Sequence, residues 1–156
     1  MDNKYDNIKL YAHPMSGVDQ VYKVLHNNIS TNIEIPLIDN ETYKFAFELD
    51  INSNTLYVYI ERRFRDLIKS LYEVKHKFGI DDIEFEKFYT NRYSNICSIN
   101  SKNDLFKCSN MSPRTYWEHH INSWIRVCKE NGNAIIISYD RCSRDNKYCI
   151  ERVKNA

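Results

Sequence analysis

At 156 residues the chain is the size of one domain and long enough to bury a real core. Its 22 Lys and Arg nearly balance 21 Asp and Glu, which excludes the basic field of a nucleic-acid binder and confines any anion site to a local cluster. No apolar run approaches the ~20 residues of a membrane span, and the start, MDNKYDNIKL, lacks a signal-peptide core. Five cysteines (Cys97, Cys108, Cys128, Cys142, Cys149) form no CxxC pair, so they read as free thiols in a reducing, cytoplasmic compartment. Cys108, His119 and His120 match no standard metal-ligand spacing, and no metal site is expected.

In chain order, Ile8 to Ala12 is a short β-branched and aromatic run, read as a strand. His13-Pro14-Met15-Ser16-Gly17-Val18-Asp19 follows it, and from Gly17 to Asn27 a helical pattern places Val18, Val21, Tyr22 and Leu25 on one face. NIEIPLI, Asn32 to Ile38, alternates, but Pro36 demotes it to an edge or a strand end. TLYVYI, Thr55 to Ile60, is the next strand, and Arg63 to Phe78 is a helix with Leu67, Leu71, Val74 and Phe78 aligned. DDIEFEKFYTNRY reads as one further helix. Residues 94–111 are polar and aperiodic and read as a long loop or lid. SPRTYWEHHINSWIRVCKEN is a long helix capped by Ser112 with Pro113 at its first position, and Gly132 ends it. Trp117, His120 and Trp124 share one face of that helix and read as core, with His119 exposed. AIIIS, Ala134 to Ser138, reads as a strand buried on both faces, with a weaker helix from Cys142 to Val153.

Strands alternating with helices predict a single α/β domain, a three-layer, mainly parallel sheet. Ligands of such sheets bind beyond the carboxyl ends of the strands, here after Ala12, Ile60 and Ser138. At the first of these ends Gly17 permits close backbone approach, and the following helix aims unsatisfied N–H groups at the turn. An equally specific reading makes Ser16 an N-cap, with Asp19 three residues on completing a capping box that uses up the same N–H groups. At the second end, Arg62, Arg63 and Arg65 stand where a strand gives way to a helix, with Ser70 two turns in. Clustered guanidiniums there suit bidentate phosphate recognition; a solvated helix start with Arg65 and Asp66 in a surface pair is the alternative. No GxxxxGK[ST] turn is present, which argues against a Walker-type phosphotransferase.

Taken together, these blocks resemble the sulfotransferases that use 3′-phosphoadenosine 5′-phosphosulfate (PAPS). HPMSGVDQV is similar to the family's YPKSGTTW-like turn at Pro14, Ser16 and Gly17, and RRFRDLIKS to its RNPRDxxxS block at Arg62, Arg65, Asp66 and Ser70. YWEHHINSW matches an SWxxHxxxW helix at Trp117, His120 and Trp124, and AIIISYDRCSRD matches a strand with a YEDL-like turn at Tyr139 and Asp140. The resemblance implies a P-loop-like, sulfotransferase-like topology in a short, divergent member, and PAPS as donor with adenosine 3′,5′-bisphosphate as product. It implies that Pro14, Met15, Ser16, Gly17, Val18 and Asp19 line the 5′-phosphosulfate turn, that Arg62 and Ser70 hold the 3′-phosphate, and that a small molecule or glycan is the acceptor.

Several family features are altered. Met15 replaces the lysine that neutralises the leaving sulfate's bridging oxygen, so Lys23, Lys44 or a loop arginine would have to supply that charge. Val18 and Asp19 replace two threonines. The RKG-containing loop has no counterpart before the chain ends, and the family's catalytic histidine after its second strand has no clear counterpart around TYKFAFELD. Glu48 in TYKFAFELD, or His13 beside the turn, is then the candidate catalytic base.

Overall fold

The computed structural model describes residues 4–97, 106 and 108–156. They form two compact units, one made of the chain up to Arg62 together with His120–Ala156, the other of Arg63–His119.

The first unit is built on four parallel strands, β1 (Asn7–Ala12), β2 (Asn32–Glu34), β3 (Thr55–Glu61) and β4 (Ala134–Ser138), in the order β2-β1-β3-β4. Pro36 stops β2 after three residues and leaves it at the edge, as a residue without an N–H must. β3 is central, and its first six residues are buried. β4 departs from the expectation of burial on both faces. It occupies the other edge, and Ile135 and Ile136 stay half-exposed because no strand among the described residues pairs beyond them.

Side chains alternate across the sheet and separate two cores. Ile8, Leu10, Ala12, Val58 and Ile60 pack with Val18, Val21 and Leu25 of α1 (Val18–His26) and with Cys142, Cys149 and Val153. On the other face Tyr11, Tyr57 and Tyr59 meet Trp124, whose ring lies 4.9 Å from Tyr11 and 5.2 Å from Tyr59. Both faces are therefore covered, as the three-layer reading requires, and each fully buried aliphatic side chain contributes about 1.5–3 kcal/mol.

The second unit is helical: α2 (Phe64–Glu73), α3 (Phe85–Thr90), α4 (Tyr93–Ile96) and the start of α5 (Pro113–Glu130). The helix expected to run to Phe78 stops at Glu73. Val74 leaves helical geometry, and a tight 3-10 turn, Lys75–Phe78, ends at left-handed Gly79. The single helix expected in DDIEFEKFYTNRY is two, α3 and α4, separated at Asn91 and Arg92. Ser112 does cap α5, accepting from the Thr115 N–H at 3.2 Å.

Residues 98–105 and 107 of the expected 94–111 loop lie outside the described residues. Residues 94–96 belong to α4, whereas 108–111 are turn, coil and bend. α4 opens it, and Tyr93 and Ser94 bond back to the carbonyls of Met111 and Ser109, while Phe106 stacks on Tyr93 at 4.6 Å.

The weak helix expected from Cys142 to Val153 is a pair, α6 (Tyr139–Arg144) and α7 (Asn146–Lys154). Asp145 breaks it, its carboxylate capping α7 at the Lys147 N–H. The break brings Cys142 and Cys149 together as a disulfide with Cα atoms 5.2 Å apart. The expectation of five free thiols is thus corrected to three, Cys97, Cys108 and Cys128. The thiol argument for a reducing compartment goes with it. No helix among the described residues is long and apolar enough to cross a membrane.

Candidate functional site

The strand order reverses between β1 and β3, and in open α/β sheets the crevice beyond such a reversal is where ligands bind. Register places the two chains side by side there: Ala12 pairs with Ile60, so His13 and Pro14 leave the sheet beside Glu61 and Arg62.

The turn is built from unusual backbone. Met15 adopts φ 69 and Gly17 φ 77. The second is ordinary for glycine, whereas the first is a left-handed conformation that methionine rarely takes and that costs of order 1–3 kcal/mol. Gly17, not Ser16, is the N-cap of α1, and no side chain caps it. The capping-box alternative is therefore overturned. Ser16 is buried with its Oγ unpartnered, and Asp19 points no carboxylate at the cap and is exposed. A buried hydroxyl without a partner beside the positive end of a helix is the arrangement an anion would complete.

Two side chains close on the turn. Arg62 Nη1 donates to the Met15 carbonyl at 2.7 Å. The Tyr139 ring, first residue of α6, lies against Gly17 so closely that a Cβ there would meet its Cε2 at 2.1 Å. Tyr139 donates its hydroxyl to Gln20 Oε1 at 2.5 Å and lies under the Arg62 guanidinium, 5.1 Å from ring centroid to Cζ. A cavity of about 170 Å³ opens beside it, lined by Gln20, Val21, Val24, Tyr139, Cys142 and Asn146. A larger one, about 570 Å³, touches Ile8 and Leu56 near the amino ends of β1 and β3, away from the edge where ligands bind.

His13 is buried, and its Nδ1–H donates to the Pro14 carbonyl at 2.8 Å. Burial, then the neighbouring His120, pushes its pKa down to about 3. The ring is neutral, the form from which a base starts, but with so low a pKa it holds a captured proton weakly. His120, 5.5 Å away edge-on, accepts from the Tyr59 hydroxyl and donates Nε2–H to the Tyr43 carbonyl, both at 2.8 Å. Burial lowers its pKa to about 4. It is a core histidine, as its helical face indicated, and Trp124 is a core residue, but Trp117 of the same face is only half-buried, packed against Phe64. Glu48 is exposed and accepts from the Phe45 N–H at 2.9 Å, closing a short turn. Tyr43 lies near enough to Asp19 that burial, then that carboxylate, raises its pKa.

Of the expected site residues, the structure thus brings together His13, Pro14, Met15, Ser16, Gly17, Val18 and Arg62. Ser70 is half-buried on α2 in the second unit, where Arg63 pairs with Asp66 at 3.0 Å and Arg65 is exposed. Gln20 as the partner of Tyr139 was not foreseen; a glutamine on an exposed helix face carries no signal of its own.

No protein-family model matches the chain, and no curated protein does. Among solved structures, the chain is similar to a mouse sulfotransferase, SULT7A1, described as complexed with PAP, with a TM-score of 0.56 at 16% identity. The fold is sulfotransferase-like. The superposition covers 99% of this chain and 59% of that one, so the chain spans little more than half the length of the sulfotransferase it matches. In this sulfotransferase-like fold the His13–Gly17 turn follows the first strand of the sheet.

Proposed function

We propose that the chain binds PAPS at the His13–Gly17 turn and transfers its sulfate to a hydroxyl or amine of a small molecule or glycan. The observation that carries this reading is the unpartnered, buried Ser16 Oγ at an uncapped helix N-terminus, placed at the β1/β3 reversal. The sulfotransferase-like fold supports it independently.

Ser16 Oγ and the N–H groups of Gly17 and Val18 hold the phosphosulfate end of the nucleotide. The donor brings an activated sulfuryl group, and the chain orients it, excludes water and offers positive potential where charge develops. His13 and Glu48 remain the two proposed bases. The weak basicity of His13 favours an acceptor whose proton leaves late, or one deprotonated without it.

Calorimetric titration with adenosine 3′,5′-bisphosphate is the direct test. Saturable one-to-one binding is expected, and a folded protein that takes up none sinks the reading. Sulfate transfer from labelled PAPS to a panel of alcohols, phenols and amines then tests turnover. A chain that binds the nucleotide yet transfers to no acceptor, and does not hydrolyse the donor, is a nucleotide-binding module.

A further inference from the structure

We propose that Arg62 is the cation of the His13–Gly17 turn: it faces the anion at the 5′ end of the nucleotide and supplies the charge that Met15 lacks. The inference rests on the nucleotide-binding reading above and changes what one of its residues does, since the sequence resemblance sends Arg62 to the 3′-phosphate.

Placement comes first. Arg62 immediately follows the last residue of β3, and the β1/β3 register sets it beside the turn. Its Nη1 is 2.7 Å from the carbonyl of Met15, the residue standing where a turn lysine would be. That residue precedes Ser16, whose Oγ is the unpartnered buried atom.

Orientation comes second. The guanidinium is bonded to the Met15 carbonyl and lies over the Tyr139 ring, 5.1 Å from its centroid. Tyr139 is itself seated on Gly17 and tied to Gln20. A guanidinium spreads a permanent charge over a rigid plane, so the group that braces the Met15 carbonyl also fixes a positive charge beside the turn. Lysine is a flexible point charge; arginine reaching in from the next strand is a fixed one. The left-handed Met15 fits this arrangement, because a strained backbone persists where its surroundings hold it. The other candidate lysine on α1 is poorly placed: Lys23 is exposed and in the last turn of the helix, at the end away from the anion.

The test uses the whole chain and two nucleotides, adenosine 5′-monophosphate and adenosine 3′,5′-bisphosphate, titrated by calorimetry into wild type, Arg62→Gln, Arg62→Lys and Arg62→Gln with Met15→Lys. Removing the charge is expected to weaken both nucleotides by the same factor, about tenfold or more. Arg62→Lys, which keeps the charge but not its fixed placement, should lose clearly less than Arg62→Gln, and Met15→Lys should restore most of what Arg62→Gln loses. A loss confined to the bisphosphate would return Arg62 to the 3′-phosphate and overturn the proposal. An equal loss that Met15→Lys fails to restore would overturn it too, since Arg62 would then only brace the turn. Thermal melts of each variant confirm that the folded protein is being titrated, and Arg62→Met takes the place of Arg62→Gln if the latter does not fold. Wild-type protein that binds neither nucleotide would instead refute the functional reading itself.

Discussion

Ser16 is the residue at which stability and function separate. Its hydroxyl is buried and bonded to nothing, and a polar group in that state costs about 1–3 kcal/mol relative to one that is satisfied. Replacing it with alanine removes the penalty along with a single oxygen. Ser16→Ala is therefore expected to leave the unfolding free energy unchanged or to raise it by up to about 1 kcal/mol, read from urea denaturation. The same variant should bind adenosine 3′,5′-bisphosphate more weakly. A clear loss of stability would mean that Ser16 is a structural residue. The sequence offered both roles for this position, because Ser-Gly-x-Asp before a helix is written alike for a cap and for an anion turn. What decides is the backbone, with Gly17 taking the cap position and Ser16 turned inward.

Among the elements, those with long, regular hydrophobic periods were legible: β1, β3, α1 and α5 lie where their patterns put them. The breaks were not. α2 ends early at Val74, α3 parts from α4 at Asn91 and Arg92, and α6 parts from α7 at Asp145, in each case where one or two residues leave helical geometry. Asp145 carried a readable signal, an Asp N-cap, that the continuous apolar spacing of Cys142, Cys149 and Val153 masked. The break also creates the Cys142–Cys149 link across seven residues. Closing so short a loop in the unfolded chain is worth about 2–3 kcal/mol in the chain-entropy account. Cys142→Ser with Cys149→Ser should lose about that much stability in denaturant titrations. A dithiol reductant should produce a similar loss in the wild type, and no effect of reductant on the wild type would show the link to be absent. Edge position was illegible in the same way: AIIIS has the composition of a central strand, and only the pairing order exposes Ile135 and Ile136.

For the molecule as a whole, the buried histidines set how stability responds to acid. His13 and His120 have folded pKa values of about 3 and about 4 against an ordinary 6.5, burial being the main cause for both. The unfolded chain takes up these protons near pH 6.5 and the folded chain does not. The contribution is therefore intact above that pH and is lost as pH falls toward 4, at up to about 1.4 kcal/mol per pH unit for each ring. Urea unfolding between pH 7 and 4.5 should show this slope, and His13→Gln should remove about half of it; an identical slope in the variant would refute the assignment. The candidate site was legible as far as its turn. The resemblance pointed to the segment, but the role proposed for Arg62 depends on which strand lies beside β1 and in what register, which no local pattern encodes. The contact between Tyr139 and Gly17 also limits how this chain can change over evolutionary time. A side chain at position 17 would have to displace the ring at 139 from its seat and would sit at a positive φ as well, whereas the ring can shrink without disturbing the glycine. Changes at 139 are therefore expected to be tolerated before changes at 17.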